Sequence, residues 1–178
     1  TLTDGTKVTG TIDAGGKIDV PTKTMTITAK SHDKDGKEEF KDITYYGRGE
    51  IENYWDKYKS AKINLYEDTV TDKMVNYLQP QENGAKTDVR YLEIKNEKGQ
   101  GIKISGSPTF EFNISKYHPE DVEVADHTYK VKSMNAIVLR VIYKQMGVGG
   151  DDSWQALPHS EYILNPNKIY TLTYEIKT

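Results

Sequence analysis

KQMGVGGDDSW, from Lys144 to Trp154, places two adjacent glycines, two adjacent acids, a serine and one of the chain's two tryptophans directly after a strand-like run. Two kinds of chemistry suit such a stretch. Gly149 and Gly150 permit a sharp reversal, and Asp151, Asp152 and Ser153 can bond their own backbone, which makes a tight turn. That reading leaves Trp154 without a reason. An indole at a loop tip exposes a large apolar face unless a sugar ring or a partner domain covers it. On the residues alone, turn and ligand loop both stay open.

Two further stretches are dense in polar chemistry. In YYGRGEIENYWDK (Tyr45–Lys57), Gly47 and Gly49 flank Arg48, and Glu52, Asn53 and Tyr54 follow closely. Arg48 can pair with a carboxylate while the glycines permit a bend, which suits a structural or interface role. In QPQENGAKTDVRYLEI (Gln79–Ile94), Glu82, Asn83, Asp88 and Arg90 carry fixed amide, carboxylate and guanidinium groups. Such groups either contact sugar hydroxyls or tie a long loop to a sheet. The histidines add little: His118 and His127 are nine apart, outside the three-to-five spacing of a helical metal site. There is no Gly-x-Ser-x-Gly elbow, and the Asn113-Ile114-Ser115 sequon is too short to weigh. Neither a catalytic residue nor a metal-ligand set is assigned.

The elements that must position these residues read as strands. TKTMTITAK alternates Met25, Ile27 and Ala29 against Thr24, Thr26 and Thr28, and SPTFEFNIS sets Phe110, Phe112 and Ile114 on one face. NAIVLRVIYKQ turns Ile137, Leu139, Val141 and Tyr143 one way and Val138, Arg140 and Ile142 the other, so it predicts burial on both faces. KIYTLTYEIK aligns Tyr170, Leu172, Tyr174 and Ile176. Turns are expected at 14–17, 34–36, 97–101 and 165–167. One short helix is predicted near 119–126, with Pro119 at its first position and Glu120 and Asp121 at the positive end of the dipole. Repeated short strands predict an all-β antiparallel sandwich in one domain over 1–178.

Bulk properties narrow the partners. The 178 residues include 29% charged and 35% hydrophobic side chains, with a net charge of -3 and no basic stripe, so nucleic acid is not an expected partner. No apolar run approaches the roughly 20 residues that span a bilayer. Cysteine is absent, which excludes disulfides, thiol nucleophiles and Cys-ligated zinc. Thr1 in place of an initiator Met is the start expected of a processed or cut chain, and both a cytoplasmic and a periplasmic location stay open.

Read in order, YYGRG…ENYWDK, QPQENGAKTDVRYLEI, FEFNISKYHPEDVEVADH and QMGVGGDDSW resemble the C-terminal domain of the large β-galactosidases, a region that also stands alone as the small chain of heterodimeric enzymes. The resemblance runs from about Tyr45 to the end, with Glu50 where the family commonly has Pro and Lys57 where it often has Arg. It implies a galactose mutarotase-like super-sandwich, of which this chain is a fragment, beside a catalytic TIM barrel that is covalently joined or a separate chain. Retaining hydrolysis of β-galactosides would use two glutamates of the barrel, leaving no catalytic residue here and an isolated chain inactive. Magnesium and sodium are implied for the complete enzyme, through other domains. The family's Asp-Asp-Ser-Trp motif falls on Asp151 to Trp154, so the resemblance makes Trp154 an aromatic platform for the sugar. Gly149, Gly150, Asp151, Asp152 and Ser153 then fasten its loop. A free-standing carbohydrate-binding module and a mutarotase-like epimerase using His118, His127 and Glu161 are the competing readings.

Overall fold

The structure, a computed structural model, describes residues 6–13, 25–30, 40–70, 77–152 and 154–178, the first two stretches as backbone only. Eight strands form among them: β1 Thr6–Asp13, β2 Met25–Lys30, β3 Asp42–Arg48, β4 Ile63–Thr69, β5 Lys86–Lys95, β6 Gly101–Ser115, β7 Ala136–Ile142 and β8 Ile169–Lys177. Every pairing between them is antiparallel. The fold is all-β, as the alternation predicts.

β6 organises the sheet. Of its 15 residues, Gly101 to Phe112 run along β5 on one side, while the other side changes partner along its length. Lys103 to Ser107 pair with β8, and Glu111 to Ser115 pair with β7. Pro108 falls in the gap, where a residue without an N–H costs the ladder nothing. From this branch point one path runs β6–β8–β1 and another β6–β7–β2, with β5–β3–β4 on the opposite edge.

The core lies on one face of this branched sheet. Phe110, Phe112 and Ile114 of β6 are buried there beside Ile137, Leu139 and Val141 of β7, matching the predicted faces. Phe112 meets Tyr45 edge-on at 5.2 Å between ring centroids, a favoured aromatic geometry. Burying one such side chain contributes roughly 1.5–3 kcal/mol. Val138 and Ile142 are buried on the reverse of β7, so its two-faced burial is also met. β8 buries Leu172 and Ile176 on the predicted face. The reverse of β6 holds a surprise: Glu111 and Asn113 are only 5% and 4% exposed. Alternation with polar residues predicts a solvated face there, and loops cover it instead.

The hairpin β5–β6 turns where predicted. Asn96 Oδ1 accepts from Lys98 N and Gln100 N at 3.0 and 2.9 Å, and Gly99 takes φ 75°. Ahead of β8, Lys168 N donates to Asn165 O at 3.2 Å. The helix α1, Pro119–Val124, ends two residues before its expected limit, where Ala125 is extended. Short 3-10 segments at Trp55–Ser60, Thr128–Lys130 and Ser160–Tyr162 carry no periodic signal and were not predicted. The alternating side chains of β2 and the turns at 14–17 and 34–36 lie outside the described residues.

Candidate functional site

β7 ends at Ile142, and the chain then runs over the 3-10 segment Trp55–Ser60. Four contacts fix that crossing. Gln145 N donates to Glu111 Oε2 at 2.9 Å, and Lys144 Nζ stands 3.3 Å above the Trp55 ring. Gly147 N donates to Tyr162 O at 2.9 Å, and Gly149 N to Asp56 Oδ2 at 2.7 Å. Tyr162 in turn presents its ring edge-on to Trp55, at 5.8 Å and 89°. The loop is therefore seated on an aromatic and carboxylate platform donated by a remote segment.

Beyond the seat the loop closes on itself. Asp151 Oδ1 lies 2.8 Å from His159 Nε2, and Asp152 Oδ1 accepts from Trp154 N at 2.7 Å. Trp154 is left 86% exposed. Ser153 lies outside the described residues. The glycines act differently from the sequence expectation. Neither Gly149 nor Gly150 has positive φ; the left-handed residue of the loop is Gln155, at φ 76°. Gly150 is required by a close approach instead, because a Cβ there would stand 2.2 Å from Ala156 O.

Beneath the loop, Glu111 shares a cavity of about 160 Å³ with Asp88 and Lys144. Burial pushes the Glu111 carboxyl up to about 8, against the opposing pull of the Gln145 N–H and the Lys144 ammonium, while Asp88 adds to the rise. Burial likewise holds the Lys144 ammonium below its ordinary range, with Glu111 and Asp88 opposing. At the surface, the Asp151 bond raises the His159 imidazole, and Glu161 adds to it.

The two other polar segments meet each other and underpin this platform. Glu52 accepts from Tyr77 Oη at 2.6 Å and Gly84 N at 3.1 Å, and pairs with Lys57 Nζ at 3.2 Å. Burial pushes its carboxyl up, but these three partners together outweigh burial and hold it below the usual range. Asn53 is fully buried: its N donates to Ala85 O at 2.7 Å, its Nδ2 to Lys57 O at 3.0 Å, and its Oδ1 accepts from Thr87 Oγ1 at 2.6 Å. Tyr54 is buried with Lys57 over its ring, and burial raises its phenol, the carboxylates of Glu82 and Glu52 adding to the effect. Arg48 pairs with Asp88 at 2.9 Å and donates to Ala61 O at 2.6 Å. Arg90 bonds Asp88 O and lies 5.2 Å from the Tyr46 ring centre. Glu82 holds Arg140 and Asn113, and Asn83 O accepts from Asn113 Nδ2. Their hydrogen bonds and ion pairs run to one another, to β6 and β7 and to the segment 52–61.

Asp56, Lys144, Glu111 and His159 complete the arrangement and carried no local signal. Asp56 and Gly149 are 93 positions apart, so no spacing rule joins them. No hydrogen bond or ion pair joins His118 or His127 to Glu161; His127 meets Asp126 and Tyr129 instead. Among the described residues no group of three or more His, Asp or Glu is placed to hold a metal ion, and no helix is long and apolar enough to cross a membrane.

The fold is thus all-β and antiparallel, and a tethered loop presents an exposed tryptophan. Residues 3–176 match the β-galactosidase small chain family, and the chain belongs to it. It is 49% identical over 138 residues to a β-galactosidase of Priestia megaterium, covering 78% of this chain and 13% of that protein. A β-galactosidase of Halalkalibacterium halodurans is 36% identical over 139 residues, and one of Streptococcus thermophilus 34% over 140, each covering 78% of this chain and 14% of the relative. The chain therefore spans 13–14% of the length of these relatives.

Proposed function

We propose that this chain is a non-catalytic part of a β-galactosidase, lying within one C-terminal super-sandwich domain of mutarotase-like architecture, and that it completes the active site through Trp154. One observation carries the reading. The loop is tethered at Gly147, Gly149 and Asp151, yet it leaves the Trp154 indole 86% exposed. An indole carried on a tethered loop and left bare offers a flat apolar face, suited to the C–H face of a galactosyl ring. Stacking of this kind contributes on the order of 1–3 kcal/mol, by analogy with bases stacked on aromatic side chains.

The bond-breaking groups belong elsewhere. Retaining glycosidases use two carboxyl groups about 5 Å apart, one as nucleophile and one as acid and base. We assign both to a TIM-barrel portion, covalently joined or separate, so the isolated chain is inactive. Magnesium and sodium, where the enzyme uses them, are assigned to that portion as well. The substrate is a terminal β-D-galactoside.

Hydrolysis of o-nitrophenyl β-D-galactoside by the enzyme lacking this region, with and without the chain added, tests the proposal. Activity restored by the chain supports it. Hydrolysis indifferent to the chain overturns it.

A further inference from the structure

Asp56 spends a carboxylate on a single backbone N–H. Its Oδ2 accepts from Gly149 N at 2.7 Å, while its Oδ1 is buried with no hydrogen-bond partner among the described residues. A buried polar atom without a partner weakens the fold, and such atoms in native proteins call for an explanation beyond stability. We propose that Asp56 is the positioning residue of the Trp154 loop, setting where the indole stands without touching sugar. This rests on Trp154 being the sugar platform, and it names the group that aims that platform.

The packing around the bond is consistent with a clamp. Gly147 passes so close that a Cβ would stand 2.8 Å from Asp56 Cβ and 3.0 Å from Tyr162 Cβ, so a side chain there would lift the loop away. Tyr162 O takes Gly147 N on one side of Asp56, and Trp55 takes Lys144 on the other. The segment that carries Asp56 is tied to β5, because Asn53 binds Lys57 O within the segment, and Ala85 O and Thr87 Oγ1 beyond it. The clamp therefore stands on the sheet. Beyond Gly149, the Asp151–His159 pair and the Asp152–Trp154 turn tie the loop on either side of the indole.

The test uses the β-galactosidase that carries this chain, with kcat, KM and Tm measured on o-nitrophenyl β-D-galactoside for Asp56→Ala, Asp56→Asn, Trp154→Ala and the Asp56→Ala/Trp154→Ala double variant. Asp56→Ala is expected to raise KM roughly fivefold, the factor a net hydrogen bond corresponds to. Asp56→Asn, whose Oδ1 can still accept from Gly149 N, is expected to recover most of that loss. The double variant should be no worse than Trp154→Ala alone, because Asp56 acts only through the indole. An unchanged KM in Asp56→Ala beside a raised one in Trp154→Ala overturns the clamp and leaves the platform standing. Losses that multiply in the double variant, or a kcat that merely follows Tm, also overturn it. A Trp154→Ala without effect removes the platform, and the clamp falls with it. Should Asp56→Ala fail to fold, Gly149→Pro deletes the donor instead. A raised KM that Trp154→Ala masks then supports the clamp, and an unchanged one overturns it.

Discussion

Glu82 and Arg140 meet across 58 positions, Arg140 Nη2 lying 2.7 and 3.0 Å from the two carboxylate oxygens. The side chains are 35% and 18% exposed, so the pair is partly withdrawn from water, and Asn113 Nδ2 adds a donor at 3.2 Å. Together they fasten the loop 79–85 to β6 and β7. Glu82→Ala is expected to lower stability by about 1 kcal/mol, and Glu82→Gln by less. A urea titration reads this as a shifted midpoint at unchanged slope.

Asp88 holds φ 51° where β5 shifts register against β6, and its carboxylate pairs with Arg48 at 2.9 Å. Left-handed backbone is tolerated by Asp and Asn and disfavoured by β-branched residues. Asp88→Asn should therefore be mild. Asp88→Val should lose about 2 kcal/mol, from strain and the lost pair together. Equilibrium unfolding of both variants checks the order.

Glu111 makes stability depend on pH. Its folded pKa of about 8 lies above the ordinary 4.5, so between these values the folded state holds a proton that the unfolded state has released. Its contribution is fully present below pH 4.5 and is lost as pH rises through about 8. Glu111→Gln keeps an acceptor for Gln145 N and removes the titration. Denaturation midpoints should favour the variant at pH 8 and converge toward pH 5. Parallel curves across that range would contradict the assignment.

Much of the fold could be read because β6, β7 and β8 alternate cleanly, and the Asn96–Gly99 turn has the residues its geometry needs. The polar reverse of β6 could not. Glu111 and Asn113 look like solvated positions until loops from distant sequence cover them. The site was half legible. Asp152 and Trp154 form a local turn that short-range pattern can suggest, whereas Asp56–Gly149 and Lys144–Trp55 are contacts that only the folded sheet creates. The glycines show the same limit. Gly150 is dictated by Ala156 O, not by its own φ.

His159 reports on the loop's outer tether. Its bond to Asp151 raises the imidazole pKa, so the ion-pair part of the tether is present below the ordinary histidine range and is lost as pH rises through the raised value. Asp151→Asn should bring the His159 midpoint down toward the ordinary range, with the smaller contribution of Glu161 remaining. An NMR titration of its ring proton measures both. An identical midpoint in the two proteins would contradict the pairing.

The central claim is that Trp154 meets the sugar. The most direct measurement compares KM for a β-D-galactoside in the complete enzyme and its Trp154→Ala and Trp154→Tyr variants, with Tm recorded beside each. An indole 86% exposed adds little to folding, so Tm should hold. KM should rise roughly tenfold in Trp154→Ala and less in Trp154→Tyr, the factor expected from about 1.4 kcal/mol of lost stacking. An unchanged KM in both variants would contradict the claim.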